Sequence, residues 1–334
     1  MKKKILILGS SSFSGASTVD YLLSTNKHEV YGTFRKKKKE YYLPYKFNKN
    51  FKKFKEFKLD LLNHPNHLVK LIKKIKPQII IDFASICMVN ESWKNSEIYF
   101  KINVLSKTKM LEFLSNKNFL EKYIYISTPE VFGSSKKFIR EECNLFNPRT
   151  PYANSKLSFE LLLKNYQKFF KLPLIISRFS NFYGPGQPLH RLIPKLLGCI
   201  EINKKFPLQG NGKSKRNFIY SYDFCRGIDK IIKKGRIGQT YHFSGKSFHS
   251  VIGVIKMVCD LKSYNLKKLV KIIKGRVGQD LIYKLGSKKS RNELRWKPVY
   301  TLKKGLQEII TYHSKYINNV SNKDLIYQDK QLKK

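Results

Sequence analysis

The sequence predicts an α/β fold: a doubly wound parallel sheet followed by a smaller C-terminal α/β lobe. Three observations carry that expectation. Short β-branched runs alternate with amphipathic stretches through the first half of the chain, the pattern of a parallel sheet covered on both faces. The first run feeds directly into a glycine-spaced turn, Gly9-Ser10-Ser11-Ser12-Phe13-Ser14-Gly15. After Arg178 the rhythm breaks into Gly/Pro-rich and polar turns, which marks a differently built region.

The elements follow in order. Candidate strands lie at Lys4–Leu8, Glu29–Thr33, Phe57–Leu59, Ile79–Phe83 and Tyr123–Ser127. Helical patterns fall near Ser14–Leu23, Pro65–Ile75, Ser96–Leu114 and Tyr152–Phe170, and a further strand at Leu174–Arg178. Asn181–Pro188 reads as a Gly/Pro-rich loop and Leu208–Lys215 as a polar turn region. Short elements follow, closing with a helix over Thr301–Tyr316. This divides the chain into a sheet domain over residues 1–180, a smaller lobe over 181–317 with some return to the first domain, and a loose polar tail over 318–334.

Composition sets the limits. The chain has 334 residues, about two structural units at roughly 150 residues each. A hydrophobic content of 41% with 13% aromatic residues is too rich for a disordered chain. No apolar run approaches the ~18–20 residues of a membrane span. The basic start followed by Ile5–Leu8 imitates a secretion signal, but the apolar run stops at Gly9, short of the core such a signal needs. The five cysteines (Cys87, Cys143, Cys199, Cys225 and Cys259) are odd in number, widely spaced and lack C-x-x-C. Neither a disulfide framework nor a zinc site is expected. Free thiols in a reducing, cytoplasmic setting fit that pattern.

Lys and Arg number 67 against 23 Asp and Glu, a formal net charge of +44. Such a surplus invites a nucleic-acid or anionic-membrane reading. Only eleven of the 67 are arginine, the residue suited to bidentate phosphate and base contacts. The lysines are spread along the whole chain. A compositional background accounts for this better than a binding stripe, so no nucleic-acid partner is expected. Lys37–Lys39, within the densest run, reads first as a solvated loop.

The glycine-spaced turn between strand and helix suits a pyrophosphate, because backbone N–H groups at a helix N-terminus face an anion there. Its spacing is G-x-x-S-x-x-G. Ser12 could donate its hydroxyl to phosphate, although an ordinary Gly/Ser turn has the same composition. Arg35 lies 20 residues after Gly15, near the offset where an acidic group would hold an NAD ribose. No Asp or Glu stands there, and an arginine would accommodate a 2′-phosphate. NADP is therefore favoured, with NAD possible; the alternative is that Arg35 opens the solvated basic loop. Asp60-Leu61 follows the third strand, where an adenine contact would fall, unless Asp60 is only a helix-opening turn residue.

Tyr152-Ala153-Asn154-Ser155-Lys156 opens a helix after Pro151. Positions i and i+4 share a helix face, so a phenol and an ammonium converge. A cation about 4 Å away at an effective dielectric near 20 is worth about 4 kcal/mol, roughly three pKa units. That would bring the phenol toward the range of a general base acting on a sugar hydroxyl. A surface Tyr and Lys is the plainer alternative. Thr128, 24 residues upstream, ends a strand, where ligands of open α/β sheets bind. Glu130 adds a carboxylate that simple alcohol oxidation does not need. A turn cap would also explain Thr128 and Glu130.

Further motifs complete the pattern: Asp82-Phe83-Ala84-Ser85, Asn103-Val104, Ser127 to Gly133, Arg178 to Gln187, Arg191-Leu192-Ile193-Pro194, Gly210-Asn211-Gly212 with Arg216 to Tyr220, Gly275 to Asp280 and Glu293 to Pro298. From about Lys4 to Tyr316 the chain resembles the extended short-chain dehydrogenases/reductases, the Rossmann-type family of NAD(P)-dependent nucleotide-sugar epimerases and 4,6-dehydratases. The resemblance implies that residues 1–180 bind a tightly held dinucleotide through Gly9, Ser12, Phe13, Gly15, Arg35, Asp60, Leu61, Phe83, Ala84, Ser85 and Asn103. It implies that the 181–317 lobe binds the nucleotide sugar, with Asn90, Asn181, Arg191, Arg216 and Arg276 as substrate contacts. A turn-stabilising Asn181 and surface-exposed Arg216 and Arg276 are the simpler alternatives. Family members commonly pair through two long helices, so Ser96–Leu114 and Tyr152–Phe170 would form a homodimer interface.

By the same resemblance, Thr128, Tyr152 and Lys156 form the hydride-transfer triad, and Lys156 also holds the nicotinamide ribose. Glu130 steers the choice toward a 4,6-dehydratase. Tyr152 would take the C4 hydroxyl proton as hydride leaves C4, Glu130 would remove the acidified C5 proton, water would leave from C6, and hydride would return there. dTDP-glucose 4,6-dehydratases typically carry Asp-Glu after the Thr, the Asp protonating the leaving water. Here that position is Pro129, so Glu130 or water would supply the proton, as in the GDP-mannose dehydratases with their Ser-Glu pair. Cys87-Met88 departs from the Ser-His of many dehydratases. The runner-up is an epimerase or 4-keto-sugar reductase of the same fold; a nucleic-acid or membrane binder is the remote alternative.

Overall fold

Alternation along the first strand decides the layering. Ile5 and Ile7 point into one helical layer, and Leu6 and Leu8 into the other; all four are fully buried. Side chains alternate across a strand, so a strand apolar at every position must be covered on both faces. The computed structural model describes residues 2–115, 117–135, 137–274 and 284–326.

Strands β1 (Lys4–Leu8), β2 (Glu29–Phe34), β3 (Lys55–Lys58), β4 (Ile79–Asp82) and β5 (Lys122–Ile126) are interleaved with helices α1 (Phe13–Thr25), α2 (Asn66–Ile75), α3 (Val89–Lys94), α4 (Ser96–Asn103) and α5 (Thr108–Leu114). Next come β6 (Phe138–Ile139), α6 (Pro151–Phe170), β7 (Leu174–Phe179) and β8 (Asn181–Tyr183). Then follow α7 (Leu192–Glu201), β9 (Phe206–Gln209), β10 (Lys215–Tyr220), α8 (Ser221–Lys234), β11 (Thr240–Phe243), β12 (Phe248–Ser250) and α9 (Val251–Leu261). The last are α10 (Leu266–Leu269), β13 (Val270–Ile273), β14 (Lys284–Leu285), α11 (Lys288–Leu294) and α12 (Leu302–Tyr316).

Seven strands form one parallel sheet in the order β11-β7-β5-β4-β1-β2-β3. The order reverses direction between β1 and β4, the switch point at which doubly wound sheets of the Rossmann type bind ligands. On one face α1 and α8 cover Ile5, Ile7, Ile79, Ile81, Ile124 and Ile126. On the other, α2, α5 and α6 cover Leu6, Ile80, Tyr123 and Tyr125. Each fully buried aliphatic side chain is worth about 1.5–3 kcal/mol.

Residues after 180 build a second core from α7, α9 and α12 around Tyr183, Leu196, Val258 and Leu306. This stretch also returns to the large sheet through β11. Four local expectations change. The expected helix over Ser96–Leu114 breaks at Val104 (φ −122°, ψ −73°), and a 3-10 turn over Leu105–Lys107 separates α4 from α5. The third strand starts two residues earlier than expected and ends one earlier, over Lys55–Lys58. Asn181–Tyr183, read as loop, pairs in parallel with Phe218–Tyr220. The stretch read as a loose tail sends Val320 and Leu325 into the second core, Leu325 against Gly198.

Candidate active site

The dinucleotide turn is fixed by two glycines for two reasons. Gly9 has φ +77°, a left-handed value, and a Cβ there would come within 3.1 Å of the Ala84 backbone. Gly15 lies so close to Gly9 that a Cβ would collide with the Gly9 carbonyl oxygen. The turn thus packs its backbone tightly at the N-terminus of α1, with no room for a Cβ at either glycine. Ser12 is the N-cap of α1: its Oγ accepts from Gly15 N at 3.1 Å, the expected use of a serine there. The cap uses Oγ as an acceptor, which leaves the hydroxyl proton available to donate. Phe13 packs at a tilt against Phe182 of β8 with ring centroids 4.6 Å apart, and Phe182 in turn packs against the sheet core.

Arg35 lies near enough to Asp60 for its charge to act there. Burial opposes Asp60 ionisation, but hydrogen bonds from the Asn63 side chain and the Leu62 and Asn63 amides, with the nearby Arg35 charge, hold its carboxyl below the usual range. Asp60 therefore serves as the turn residue its alternative reading described, with Leu61 buried beside it. Lys37, Lys38 and Lys39 are exposed, as a solvated loop predicts, yet Lys38 Nζ donates to Ser11 O at 2.7 Å and Lys39 pairs with Asp324 at 3.6 Å. Only the turn geometry could have revealed Lys38, since it sits within a run of lysines.

Thr128 and Tyr152 meet at the C-terminal end of β5. Thr128 caps a 3-10 turn over Pro129–Phe132, its Oγ1 accepting from Glu130 N at 3.3 Å. Pro129 is the first residue of that turn, where its missing N–H costs nothing. Thr150 caps α6, accepting from Ala153 N at 3.1 Å, and Pro151 again occupies the first turn. Tyr152 hydrogen-bonds Thr128 and lies near Glu130, Cys87 and Arg191. Burial first, then Cys87 and Glu130, push its phenol well above the ordinary tyrosine range, against Thr128 and Arg191. The expected lowering by Lys156 is absent. Lys156 is 2% exposed, and its Nζ donates to Ile126 O at 2.7 Å and lies 4.3 Å from the Tyr125 ring centroid. Burial and the neighbouring Lys107 lower Lys156 to about 7, against Asp82, Cys87 and Glu160.

Asn103 is fully buried and bridges elements: its Oδ1 accepts from Ile86 N at 2.9 Å and its Nδ2 donates to Ser155 Oγ at 2.9 Å. It thereby ties the loop after β4 to α6. Phe83 is buried against Phe224, while Ala84 and Ser85 line the half-exposed exit of β4. Behind Thr128, Ser127 Oγ donates to Glu160 Oε2 at 2.6 Å; Glu160 also pairs with the buried Arg178, whose Nη1 lies 3.2 Å from His242 Nε2.

The residues read as substrate contacts are more scattered. Arg191 caps α7 and reaches over the site, its Nη2 3.7 Å from Cys87 Sγ. Cys87 was not read as a site residue, and its place beside Tyr152 follows from the fold. Asn90 lies exposed on α3. Asn181 pairs in register with Phe218, and Arg216 with His249 of β12. Arg276 lies outside the described residues.

The sequence profile of the GDP-mannose 4,6 dehydratase family matches residues 6–309. dTDP-D-glucose 4,6-dehydratase of Homo sapiens is 30% identical over 252 residues, 74% of this chain and 71% of that protein. A solved dTDP-glucose 4,6-dehydratase from Bacillus anthracis in complex with NAD superposes with a TM-score of 0.82 at 28% identity, covering 94% of this chain and 97% of the other. UDP-glucuronic acid 4-epimerase from Bacillus cereus, in complex with UDP-glucuronic acid and NAD, gives 0.82 at 26% identity over 93% and 99%. Both coverage and motifs converge: the chain belongs to the GDP-mannose 4,6 dehydratase family.

Proposed function

We propose that this chain is a nucleotide-sugar 4,6-dehydratase, converting an NDP-hexose of the dTDP-glucose or GDP-mannose type to its 4-keto-6-deoxy product. The observation that carries the reading is the carboxylate of Glu130 beside the Thr128–Tyr152 hydrogen bond. The glycine turn at Gly9 and Gly15 fits a dinucleotide diphosphate, and Lys38 and the α1 amides add positive potential there. A bound nicotinamide dinucleotide supplies a hydride acceptor and donor. Arg35 favours NADP through its 2′-phosphate.

Tyr152 takes the C4 hydroxyl proton, oriented by Thr128. A phenol raised by burial needs a cation to become a base, and Lys156, lowered to about 7, can supply or withdraw that charge. Glu130 removes the C5 proton once C4 is a ketone. Pro129 has no proton to give, so Glu130 returns the proton to the water leaving C6. Arg191, with Asn181, Arg216 and Arg276, suits the diphosphate and ribose of the substrate. Residues 1–180 would carry the dinucleotide and 181–317 the nucleotide sugar.

Two further proposals follow from exposed apolar side chains and from the cysteines. Trp93, Phe100, Leu105 and Leu161 are exposed on and beside α4 and α6, which supports a homodimer built on these helices. The five unpaired cysteines support a reducing, cytoplasmic compartment. No helix among the described residues is long and apolar enough to cross a membrane.

The test is incubation with dTDP-glucose, GDP-mannose, UDP-glucose and CDP-glucose, read by mass spectrometry and NMR. A 4-keto-6-deoxy product without net dinucleotide consumption is expected from one of them. A C4 epimer, or a reduced sugar with stoichiometric NADPH consumption, would overturn the reading in favour of the runner-up.

A further inference from the structure

Lys107 belongs to none of the motifs, yet it is fully buried. The break after α4 turns it inward. Its Nζ donates to Asp82 Oδ2 at 2.8 Å and to Ala84 O at 3.0 Å. Asp82 in turn accepts from Tyr123 OH at 2.8 Å and, through Oδ1, from Ala84 N at 2.9 Å. Both backbone groups of Ala84 are therefore held by one ion pair. Ala84 is the residue against which Gly9 packs, so the pair fixes the wall of the dinucleotide turn.

The same ammonium lies 4.4 Å from the Phe159 ring centroid and 5.7 Å from that of Tyr125. Lys156 Nζ is 4.3 Å from the Tyr125 centroid. Two buried lysines thus flank one ring. A buried ion pair gives little net stability over apolar residues of the same volume. What it supplies here is a cation at a fixed place.

We propose that Lys107 is a positioning residue for the reaction: through Asp82 and Ala84 it holds the wall of the dinucleotide turn, and it sets a second fixed cation beside Lys156. The second half rests on the roles proposed for Tyr152 and Lys156; the first half does not. The charged and titratable groups facing Lys156 are Lys107 from the turn before α5, Asp82 from β4, Cys87 from the loop after β4, Tyr125 from β5 and Glu160 from α6. Among them Lys107 is the strongest after burial, and it acts to discharge Lys156.

The test uses Lys107→Met/Asp82→Asn, which removes both charges and leaves none orphaned, beside Lys107→Arg, which keeps the cation. Cooperative thermal melts report folding. Dinucleotide affinity is measured by calorimetry, and kcat is followed against pH. For the double variant the proposal expects dinucleotide affinity about 10-fold weaker, and an alkaline limb of kcat moved up by about half a pH unit as Lys156 retains its proton. Lys107→Arg keeps the limb where the native enzyme has it. A folded double variant with native dinucleotide affinity and an unmoved limb overturns the proposal. Should the double variant not fold, a limb that moves in Lys107→Arg overturns it and an unmoved one supports it. If the native protein converts no sugar nucleotide, the dehydratase reading fails, and the dinucleotide affinity of the double variant still decides the role of Lys107.

Discussion

The ammonium of Lys156 donates to the backbone oxygen of Ile126 at 2.7 Å. This bond helps anchor the start of α6 to the end of β5, and it is made by a side chain that burial and Lys107 lower to about 7. Below about pH 7 the folded and unfolded chains both carry the charge, and its burial costs most. Between about 7 and the ordinary lysine value of 10.5 the unfolded chain keeps a proton that the folded chain has lost. Stability therefore rises with pH across that window through this group. Lys156→Met removes the effect. In urea titrations the variant's stability relative to the native protein should fall by roughly 2–4 kcal/mol between pH 7 and pH 10. A difference that stays constant would mean that Lys156 is charged at no cost.

Glu130→Gln separates the two proton transfers. It removes the base proposed for C5 while leaving Tyr152 and Thr128 in place, so dehydration should fall about 10²–10⁴-fold. Incorporation of solvent deuterium at C5 should fall with it. Glu130 is also one of the charges that raise the Tyr152 phenol, so whatever activity remains should have its acidic limb at lower pH than the native enzyme. Native rates of deuterium incorporation would remove Glu130 from the mechanism.

Tyr152→Phe tests the other transfer. The ring is 8% exposed and its hydroxyl meets Thr128, so the variant loses one buried hydrogen bond, about 0.5–1.5 kcal/mol of stability. Turnover should drop far more, by about 10²–10⁴-fold, with the KM for the sugar nucleotide little changed. A kcat near the native value would assign the C4 proton to another group.

The sheet was legible because its signal is local. Strand runs, their spacing and the glycine turn all lie within short windows, and β1, β4, β5 and β7 fall where the pattern put them. The association of Thr128, Glu130 and Tyr152 was also legible, since a strand end and a helix start fix their places. What was not legible depends on tertiary placement. Lys107 looks like any lysine of a basic chain until the break at Val104 carries it to Asp82. Cys87 and Lys38 reach the site from loops whose paths no periodicity encodes. The electrostatics reversed for the same reason: helical spacing predicts a cation beside the Tyr152 phenol, while burial and the Ile126 carbonyl decide where that cation sits.

Gly15→Ala probes the turn. The added methyl group would collide with the Gly9 carbonyl oxygen and the Ser12 cap, both parts of a turn held by Ser12 N donating to Gly9 O at 2.9 Å. Overpacking of this kind costs about 1–3 kcal/mol, and relief requires moving the amides that face the diphosphate. Calorimetry should find dinucleotide affinity at least about 10-fold weaker in a variant that still melts cooperatively. Native affinity would show that the diphosphate lies elsewhere.

Arg35→Ala decides between the two dinucleotides. Arg35 follows β2 and its charge reaches Asp60; an arginine after the second strand of a Rossmann-type sheet is the proposed partner of the adenosine ribose. An arginine there gains a charge-assisted hydrogen bond only when the ribose carries a phosphate; a bare 2′-hydroxyl offers it no anion. Losing that bond should cost about 1.5–3 kcal/mol, so affinity for NADP should fall about 10- to 100-fold. Affinity for NAD should change less than about 3-fold, because nothing in its ribose depends on the cation. The ratio of the two dissociation constants, measured by calorimetry on native protein and variant, is the quantity to compare. If the native protein prefers NAD, or if both affinities fall together, Arg35 shapes the loop and does not read the phosphate.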